Sequence, residues 1–131
     1  MPERSSAAGR RYPPVDFRIE AAHVAAFAGA IGADPGAGVP PTYAAVYALG
    51  LTAPQLFGDP EAAVDFSRLL HAEQEFEWER HPEVGETVTA EGSVLSDLER
   101  RGARFLTFVT QVVAADGAPL CRSRALFVVR A

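Results

Sequence analysis

The sequence predicts an α+β fold in which a curved antiparallel sheet wraps around a central buried helix. The first observation is an uncharged, apolar stretch from Val39 to Phe57. The second is a change to period-two alternation from Leu69 onward, which is typical of strands. The third is the dipeptide Asp116-Gly117, a strong hairpin signal between two such segments. A helix that is apolar on all its faces is a buried one, and the strands of the second half can cover it.

Size and composition indicate one globular domain. The chain has 131 residues, of which 48% are hydrophobic and 22% charged, as is ordinary for a globular protein. A chain of this length buries roughly two thirds of the surface that its unfolded form exposes. We expect residues 1–11 to form a disordered tail, because they show no periodicity. Residues 12–131 are expected to form the single domain.

Charge and cysteine content exclude several classes of function. The net charge of −5 argues against a nucleic-acid partner, which requires a basic face. All 12 basic residues are arginines, so Schiff-base lysine chemistry and a phosphate-loop lysine are excluded. The lone Cys121 permits no internal disulfide and fits a cytoplasmic location. The apolar stretch is bracketed by Pro40, Pro41 and Pro54 and is too short for a membrane span, which needs about 20 residues.

The first third of the chain predicts an edge strand followed by an amphipathic helix. Alternation from Val15 to Ile19 after two prolines indicates a strand at a sheet edge. Apolar residues at helical spacing from about Glu20 predict a helix that ends at Gly32, a C-cap glycine. His23 lies off the apolar stripe, and we expect it to be an exposed surface residue.

The central helix is predicted to begin at Pro40-Pro41, because proline is tolerated in the first turn. No charged residue occurs between Asp34 and Asp59. After this helix, Asp59 followed by proline resembles another helix start, and a short helix or turn through Phe66 is expected.

Four strands are predicted in the second half, arranged as a meander with one face on the helix. A charged hairpin connection is expected from Asp97 to Gly102. The first of these strands carries a row of glutamates, Glu75, Glu77 and Glu79. Arg122 and Arg124 alternate on the last strand, and they can meet this row, form ion pairs at a subunit interface, or do both. The strands run from Leu69 to Glu79, Glu86 to Leu95, Arg104 to Ala114 and Leu120 to Arg130.

Four segments in order carry a resemblance to a known family. The most informative is His71-Ala-Glu-Gln-Glu-Phe-Glu-Trp-Glu-Arg-His-Pro-Glu-Val-Gly-Glu-Thr-Val, which resembles a second-strand and loop signature. The other three are Phe27-Ala-Gly-Ala-Ile-Gly-Ala-Asp-Pro, Val39-Pro-Pro-Thr and Gly102-Ala-Arg-Phe-Leu-Thr-Phe-Val-Thr. Together they resemble the MaoC-like, FAS1-like dehydratase N-terminal domain family. The resemblance implies the hot-dog fold and chemistry on acyl thioesters.

The family's catalytic motif is broken in this chain. Competent relatives carry Gly-Asp-x-Asn-Pro-x-His, whose Asp and His activate water for addition to an enoyl double bond. Here Asp34-Pro35 occupies the position of the acid, but the fifth residue after Asp34 is Val39, and the chain contains no asparagine. The resemblance therefore implies no catalytic residue in this chain. If the chain acts alone, the candidates are Asp34 and His71. A turn role for Asp34 and a surface or interface role for His71 are the alternatives.

The resemblance is to the non-catalytic subunits of mycobacterial-type (R)-3-hydroxyacyl-ACP dehydratases. It implies a catalytic hot-dog partner, an acyl-CoA or acyl-carrier-protein thioester as substrate, no cofactor and no metal. We expect a homodimer when the chain is alone, because an isolated sheet leaves an open edge. The alternatives are a self-sufficient dehydratase or thioesterase, and an NTF2-like binding module. The candidate acyl-binding residues, which can equally be core residues, are Tyr43, Tyr47, Leu51, Phe57 and Trp78.

Overall fold

The computed structural model describes residues 5–131 and confirms the predicted α+β architecture. Neighbouring strands are antiparallel, in the order β1-β3-β4-β5-β2. None of the helices in residues 5–131 has both the length and the hydropathy that crossing a bilayer requires. The strands are β1 (Val15–Arg18), β2 (Leu69–Trp78), β3 (Thr87–Arg100), β4 (Ala103–Ala114) and β5 (Pro119–Val129), and the α-helices are α1 (Ala21–Ile31) and α2 (Gly50–Phe57).

The strand order differs from the predicted four-strand meander. Only β3, β4 and β5 form a meander, while β2 pairs with β5 at the far edge of the sheet. Residues 79–86 return the chain to β3, and an ion pair between Arg80 and Glu86 closes this loop. Alternation identifies a strand and its two faces but does not specify its neighbour, so the pattern could not exclude this pairing.

The first strand and helix agree with the prediction. β1 is an edge strand that pairs with β3, with Val15 opposite Ala90. α1 buries Val24 and Ala28 and ends at Gly32, whose φ of 75° is left-handed. The C-cap glycine satisfies carbonyl groups in the last turn, as such a cap commonly does.

The connection between β3 and β4 is shorter than predicted. β3 continues through Arg100, and the turn consists of Arg101 and Gly102 alone, with φ values of 52° and 82°. Two central residues with positive φ are what a two-residue hairpin of matching twist requires. The charged residues from Asp97 onward resemble a loop in composition, but their backbone groups pair with β4.

The central segment is helical without being a regular α-helix. A 3₁₀ turn at Pro41–Tyr43 leads into a π-helical segment at Ala45–Leu49 and then into α2. The N–H of Gly50 donates to the carbonyl of Ala45 and closes the wide turn. A Cβ on residue 50 would lie 2.9 Å from that carbonyl oxygen, so the turn favours glycine. The predicted central helix is confirmed, and both of its tyrosines are fully buried. It is not buried on every face, because Ala45, Gly50 and Pro54 are exposed.

The central helix contacts the sheet closely at Thr52. Its hydroxyl donates to the carbonyl of Ala48 at 2.9 Å and shares a 2.8 Å hydrogen bond with Thr110 of β4. Gly92 of β3 provides the space for this contact. A Cβ at that position would lie 2.5 Å from the ring of Phe108 and 3.0 Å from the Thr52 side chain. The small residue at position 92 therefore sets the distance between helix and sheet.

A buried arginine at the start of β4, Arg104, binds β3 and the turn that follows α2. The guanidinium of Arg104 donates to both carboxylate oxygens of Asp97, at 2.9 and 3.0 Å. It also donates to the carbonyls of Ala62 and Ala63, at 2.7 and 3.0 Å. A buried charge is tolerated when it is paired and hydrogen-bonded in this way. These bonds hold the turn at residues 60–63, which leads to a 3₁₀ helix at Phe66–Arg68, so the predicted short helix or turn is confirmed as a turn.

The amino-terminal segment packs on the domain from residue 5 onward, which corrects the predicted disordered tail; residues 1–4 lie outside the described residues. Gly9 donates to a β3 carbonyl at 2.8 Å, and Ala7 is 1% exposed. Arg10 and Tyr12 donate to the carboxylate of Asp59 at 2.7 and 2.8 Å. The segment follows the domain surface without forming a regular element, so it has no periodicity to detect.

We expect Gly92→Ala to lower the free energy of unfolding by about 1–3 kcal/mol, because the added carbon overlaps Phe108 and Thr52. Gly29→Ala is the matched control. A Cβ there meets open space in α1, and alanine is favoured over glycine by about 1 kcal/mol in a helix. Urea titrations of both variants give the comparison. Unchanged stability of Gly92→Ala would contradict the close contact.

Candidate functional site

The candidate acid Asp34 lies in an exposed turn after α1. Its carboxylate accepts a hydrogen bond from the N–H of Gly36 at 2.9 Å, and its carbonyl accepts one from Ala37 at 3.1 Å. The first bond is that of an Asx turn, a common role for aspartate before proline, and the second closes a backbone β-turn. The half-buried Val39, five residues on, cannot exchange a proton. The geometry agrees with the turn role that the sequence left open.

The second candidate, His71, is an exposed residue of the edge strand β2. Its Nε2 lies 3.0 Å from Oε1 of Gln74, and its ring packs 5.0 Å from the ring of Phe127. A β-bulge separates it in register from Glu73. In the described part of the chain no contact joins His71 to Asp34, and each has partners of its own. The structure therefore does not assemble these two residues into an acid/base pair.

Tyr43 begins the central helix and has a polar partner that the sequence prediction missed. Its hydroxyl lies 2.6 Å from Nδ1 of His23, which extends from α1. The two rings also meet edge to face at 5.5 Å. Burial raises the pKa of Tyr43, and the charge of Glu20 raises it further, so the phenol remains protonated. His23 is exposed as predicted, but the spacing of one helix could not indicate its contact with another.

Tyr47 is equally buried but lacks a partner for its hydroxyl. Among the described residues no group makes a hydrogen bond of standard geometry with this oxygen. Its polar neighbours are the Cys121 thiol and the Trp78 indole, which lie close enough to influence its ionisation. Burial raises the pKa of Tyr47, as it raises that of Cys121. Both groups stay neutral near pH 7, which leaves an uncharged polar cluster beneath one end of β2.

The other candidate acyl-binding residues lie in separate surroundings. Leu51 is half-buried and packs on the core that contains both tyrosines. Phe57 packs on a second core, with its ring 5.3 Å from that of Phe66 and 5.1 Å from that of Phe127. Trp78 lies on β2 and is 37% exposed. Tyr47 and Trp78 come together, whereas Phe57 belongs to a different part of the interior.

The surface has several depressions, and none of the four described is lined by the candidate acyl-binding residues. The largest, about 660 Å³, lies beside β2. A second of about 580 Å³ lies over the loop that follows β2. The lining residues of the largest are Glu73, Gln74, Glu75, Thr107, Arg124 and Leu126. The aromatic residues of the central helix are packed core in this structure.

Removing the hydroxyl should change the free energy of unfolding differently at the two buried tyrosines. We expect Tyr43→Phe to lower the free energy of unfolding by about 1 kcal/mol, because it removes the hydrogen bond to His23. Tyr47→Phe should be neutral or stabilising, since the buried hydroxyl has no partner to lose. Urea unfolding of the two variants tests this difference. An equal loss of stability in both would contradict an unpartnered Tyr47 hydroxyl.

The sequence pattern of the family described as FAS1-like, dehydratase domain region, matches residues 6–123. Among curated relatives, a UPF0336 protein of Leifsonia xyli subsp. xyli is 33% identical over 117 residues, which cover 89% of this chain and 73% of that protein. These matches favour this family over the NTF2-like alternative.

Solved structures agree with this assignment at the level of the fold. The HadBC (3R-hydroxyacyl-ACP dehydratase) complex of Mycobacterium tuberculosis has a chain with a TM-score of 0.76 and 19% identity, covering 96% of this chain and 99% of that one. The (R)-hydratase from A. caviae has a TM-score of 0.64 and 23% identity, covering 92% and 94%. The chain therefore belongs to the FAS1-like, dehydratase domain region family and adopts the MaoC-like hot-dog fold.

Proposed function

We infer that this chain is the non-catalytic subunit of an (R)-3-hydroxyacyl dehydratase or enoyl hydratase that acts on acyl thioesters. The observation that carries this inference is the absence of an acid/base pair among the described residues at the family's catalytic position. Asp34 is engaged in a turn, and Val39 occupies the position of the histidine. Hydration of an enoyl thioester requires a base within about 3 Å of the water it activates.

A catalytic hot-dog subunit supplies the missing Asp and His in this proposal. The similarity to a chain of the HadBC complex supports a heteromeric assembly, because that dehydratase is described as a complex. The open edge at β2 offers backbone hydrogen bonds to a partner strand. When the catalytic subunit is absent, the same edge can pair with a second copy to give a homodimer.

The proposed role of this chain in the complex is to accommodate the acyl group. Tyr47 and Trp78 are the best supported of the five candidates, because they meet beneath the end of the strand at which a partner would dock. The remaining candidates, Tyr43, Leu51 and Phe57, extend the same apolar helix. The substrate is a thioester of coenzyme A or of acyl carrier protein, and the proposed location is the cytoplasm.

We expect the isolated chain to hydrate enoyl-CoA only at the uncatalysed rate, and addition of a catalytic hot-dog subunit to restore turnover. Loss of one member of an acid/base pair typically costs roughly 10²–10⁴-fold in rate. The measurement is an enoyl-thioester hydration assay at high protein concentration, with protein free of host hydratase. Asp34→Asn and His71→Ala should leave the turnover of the complex nearly unchanged.

Tyr47→Trp serves as the contrasting variant, since a larger side chain at that position should change the acyl lengths that the complex accepts. Tyr12→Trp is its control, because it makes the same change at a tyrosine of the second core that is not a candidate for acyl binding. Rapid hydration by the isolated chain, abolished by Asp34→Asn or His71→Ala, would contradict the non-catalytic role. It would support the self-sufficient enzyme instead.

A further inference from the structure

The β2 strand is an open edge of the sheet with a regular stretch from Glu73 to Trp78. Within residues 5–131 it pairs on one side only, with β5. About half of the N–H and C=O groups of an antiparallel edge strand point away from its neighbour. The β-bulge between His71 and Glu73 marks the start of the regular stretch. This edge can therefore accept one further antiparallel strand.

Acidic side chains line this edge on the outer face of the sheet, away from the central helix. Glu75 is opposite Arg124 and Glu77 is opposite Arg122, whereas Thr110 and Ser123 face the helix side. The strand thus carries an exposed acidic row, which we define as Glu73, Glu75 and Glu77. Glu79 extends the row beyond the end of β2.

Two arginines of the neighbouring strand β5 flank the acidic row on the same outer face of the sheet. Arg122 and Arg124 lie on β5, beside the row in register, but no described ion pair within 4 Å joins them to it. Arg124 instead borders the 660 Å³ depression together with Glu73 and Glu75. Both guanidinium groups lie on the β5 side of the row. A strand that pairs with the open side of β2 therefore meets the carboxylates first, and the charge it meets is negative.

Pairing of β2 with a second copy of itself sets carboxylates against carboxylates. A two-fold axis at Glu75 places that residue opposite its own copy and Glu73 opposite Glu77. A shift of two residues places Glu75 opposite Glu77 and Glu73 opposite Glu79. A shift of one residue would turn the outer face of one sheet toward the inner face of the other. Like charges directly opposite across two strands are destabilising.

We propose that the acidic row makes this edge select a partner strand that carries arginine or lysine on its outer face, in preference to a second copy of this chain. The proposal rests on the proposed function and specifies the chemistry of the partner's docking strand. A basic strand brings cations to the open side of each carboxylate, so every cross-strand pair on the outer face becomes attractive. The homodimer of the isolated chain is then weak and is displaced by the heterodimer.

The competing explanation is that the acidic row only prevents aggregation, because charges on an edge strand also block non-specific strand pairing. Both explanations disfavour self-pairing, but only charge selection predicts attraction to a basic edge. The chain itself can provide that edge. Glu73→Arg, Glu75→Arg and Glu77→Arg together convert the acidic row into a basic one on the same backbone.

The experiment mixes the unchanged chain with this triple arginine variant and measures dissociation constants by sedimentation, with native mass spectrometry to distinguish mixed from like dimers. We expect the mixed dimer to be about tenfold tighter than either like dimer. This advantage should shrink as salt is added, because exposed charges are screened. A mixed dimer no tighter than the like dimers would overturn the proposal.

The control variant reverses three exposed charges elsewhere, Glu20→Arg, Glu61→Arg and Glu83→Arg, and has the same net charge as the triple arginine variant. Its mixture with the unchanged chain should gain little. Equal gain in both mixtures would show a general charge effect and overturn edge selection.

A second variant keeps the test decisive if the arginine row prevents folding. Glu73→Gln, Glu75→Gln and Glu77→Gln together should tighten the homodimer about tenfold, because the opposed charges are removed. An unchanged dissociation constant would overturn the proposal. Failure of these pairing tests, with the isolated chain still inactive and rescued by a catalytic subunit, would leave the proposed function standing. Hydration by the isolated chain would contradict the proposed function whatever the pairing result.

Discussion

The contact of Thr52 with Gly92 and Thr110 fixes how closely the central helix lies on the sheet. A Cβ at residue 92 would lie 3.0 Å from the Thr52 side chain and 2.5 Å from the ring of Phe108, so the missing side chain is what allows this close approach. The two threonine hydroxyls then satisfy each other in a place that water does not reach. Burying hydroxyls without such a bond would cost free energy, so close approach and polar pairing depend on each other.

This close packing influences the chemistry that the chain can perform. The aromatic side chains of the apolar helix serve as core in the isolated chain. Tyr43 satisfies its hydroxyl at the surface through His23, while the Tyr47 hydroxyl stays unpaired beside Trp78 and Cys121.

The two edges of the sheet differ in how they are covered. At the β1 side, the amino-terminal segment continues the pairing with β3, and Asp59 anchors it through Arg10 and Tyr12. At the opposite side, β2 has no such cover in the described residues. An assembly through β2 would therefore complete the sheet where the chain alone leaves it open. The broken catalytic motif and the open edge both favour a function that depends on a second subunit.

The sequence by itself determined the features that depend on neighbouring residues. The absence of charge between Asp34 and Asp59 indicated the buried helix, and the spacing in α1 indicated its buried face and its end at Gly32. Four short segments indicated the family, and Val39 in place of a histidine led to the prediction that the acid/base pair is missing.

Only the tertiary structure decided what depends on residues far apart in the chain. The pairing of β2 with β5, the bonds from Arg104 to Asp97 and the loop carbonyls, and the contact of His23 with Tyr43 join separate elements. Periodicity reports the faces of one element, and composition reports its exposure, but neither specifies which partner the element meets. The amino-terminal segment and the free edge of β2 became visible only once those long-range contacts were known.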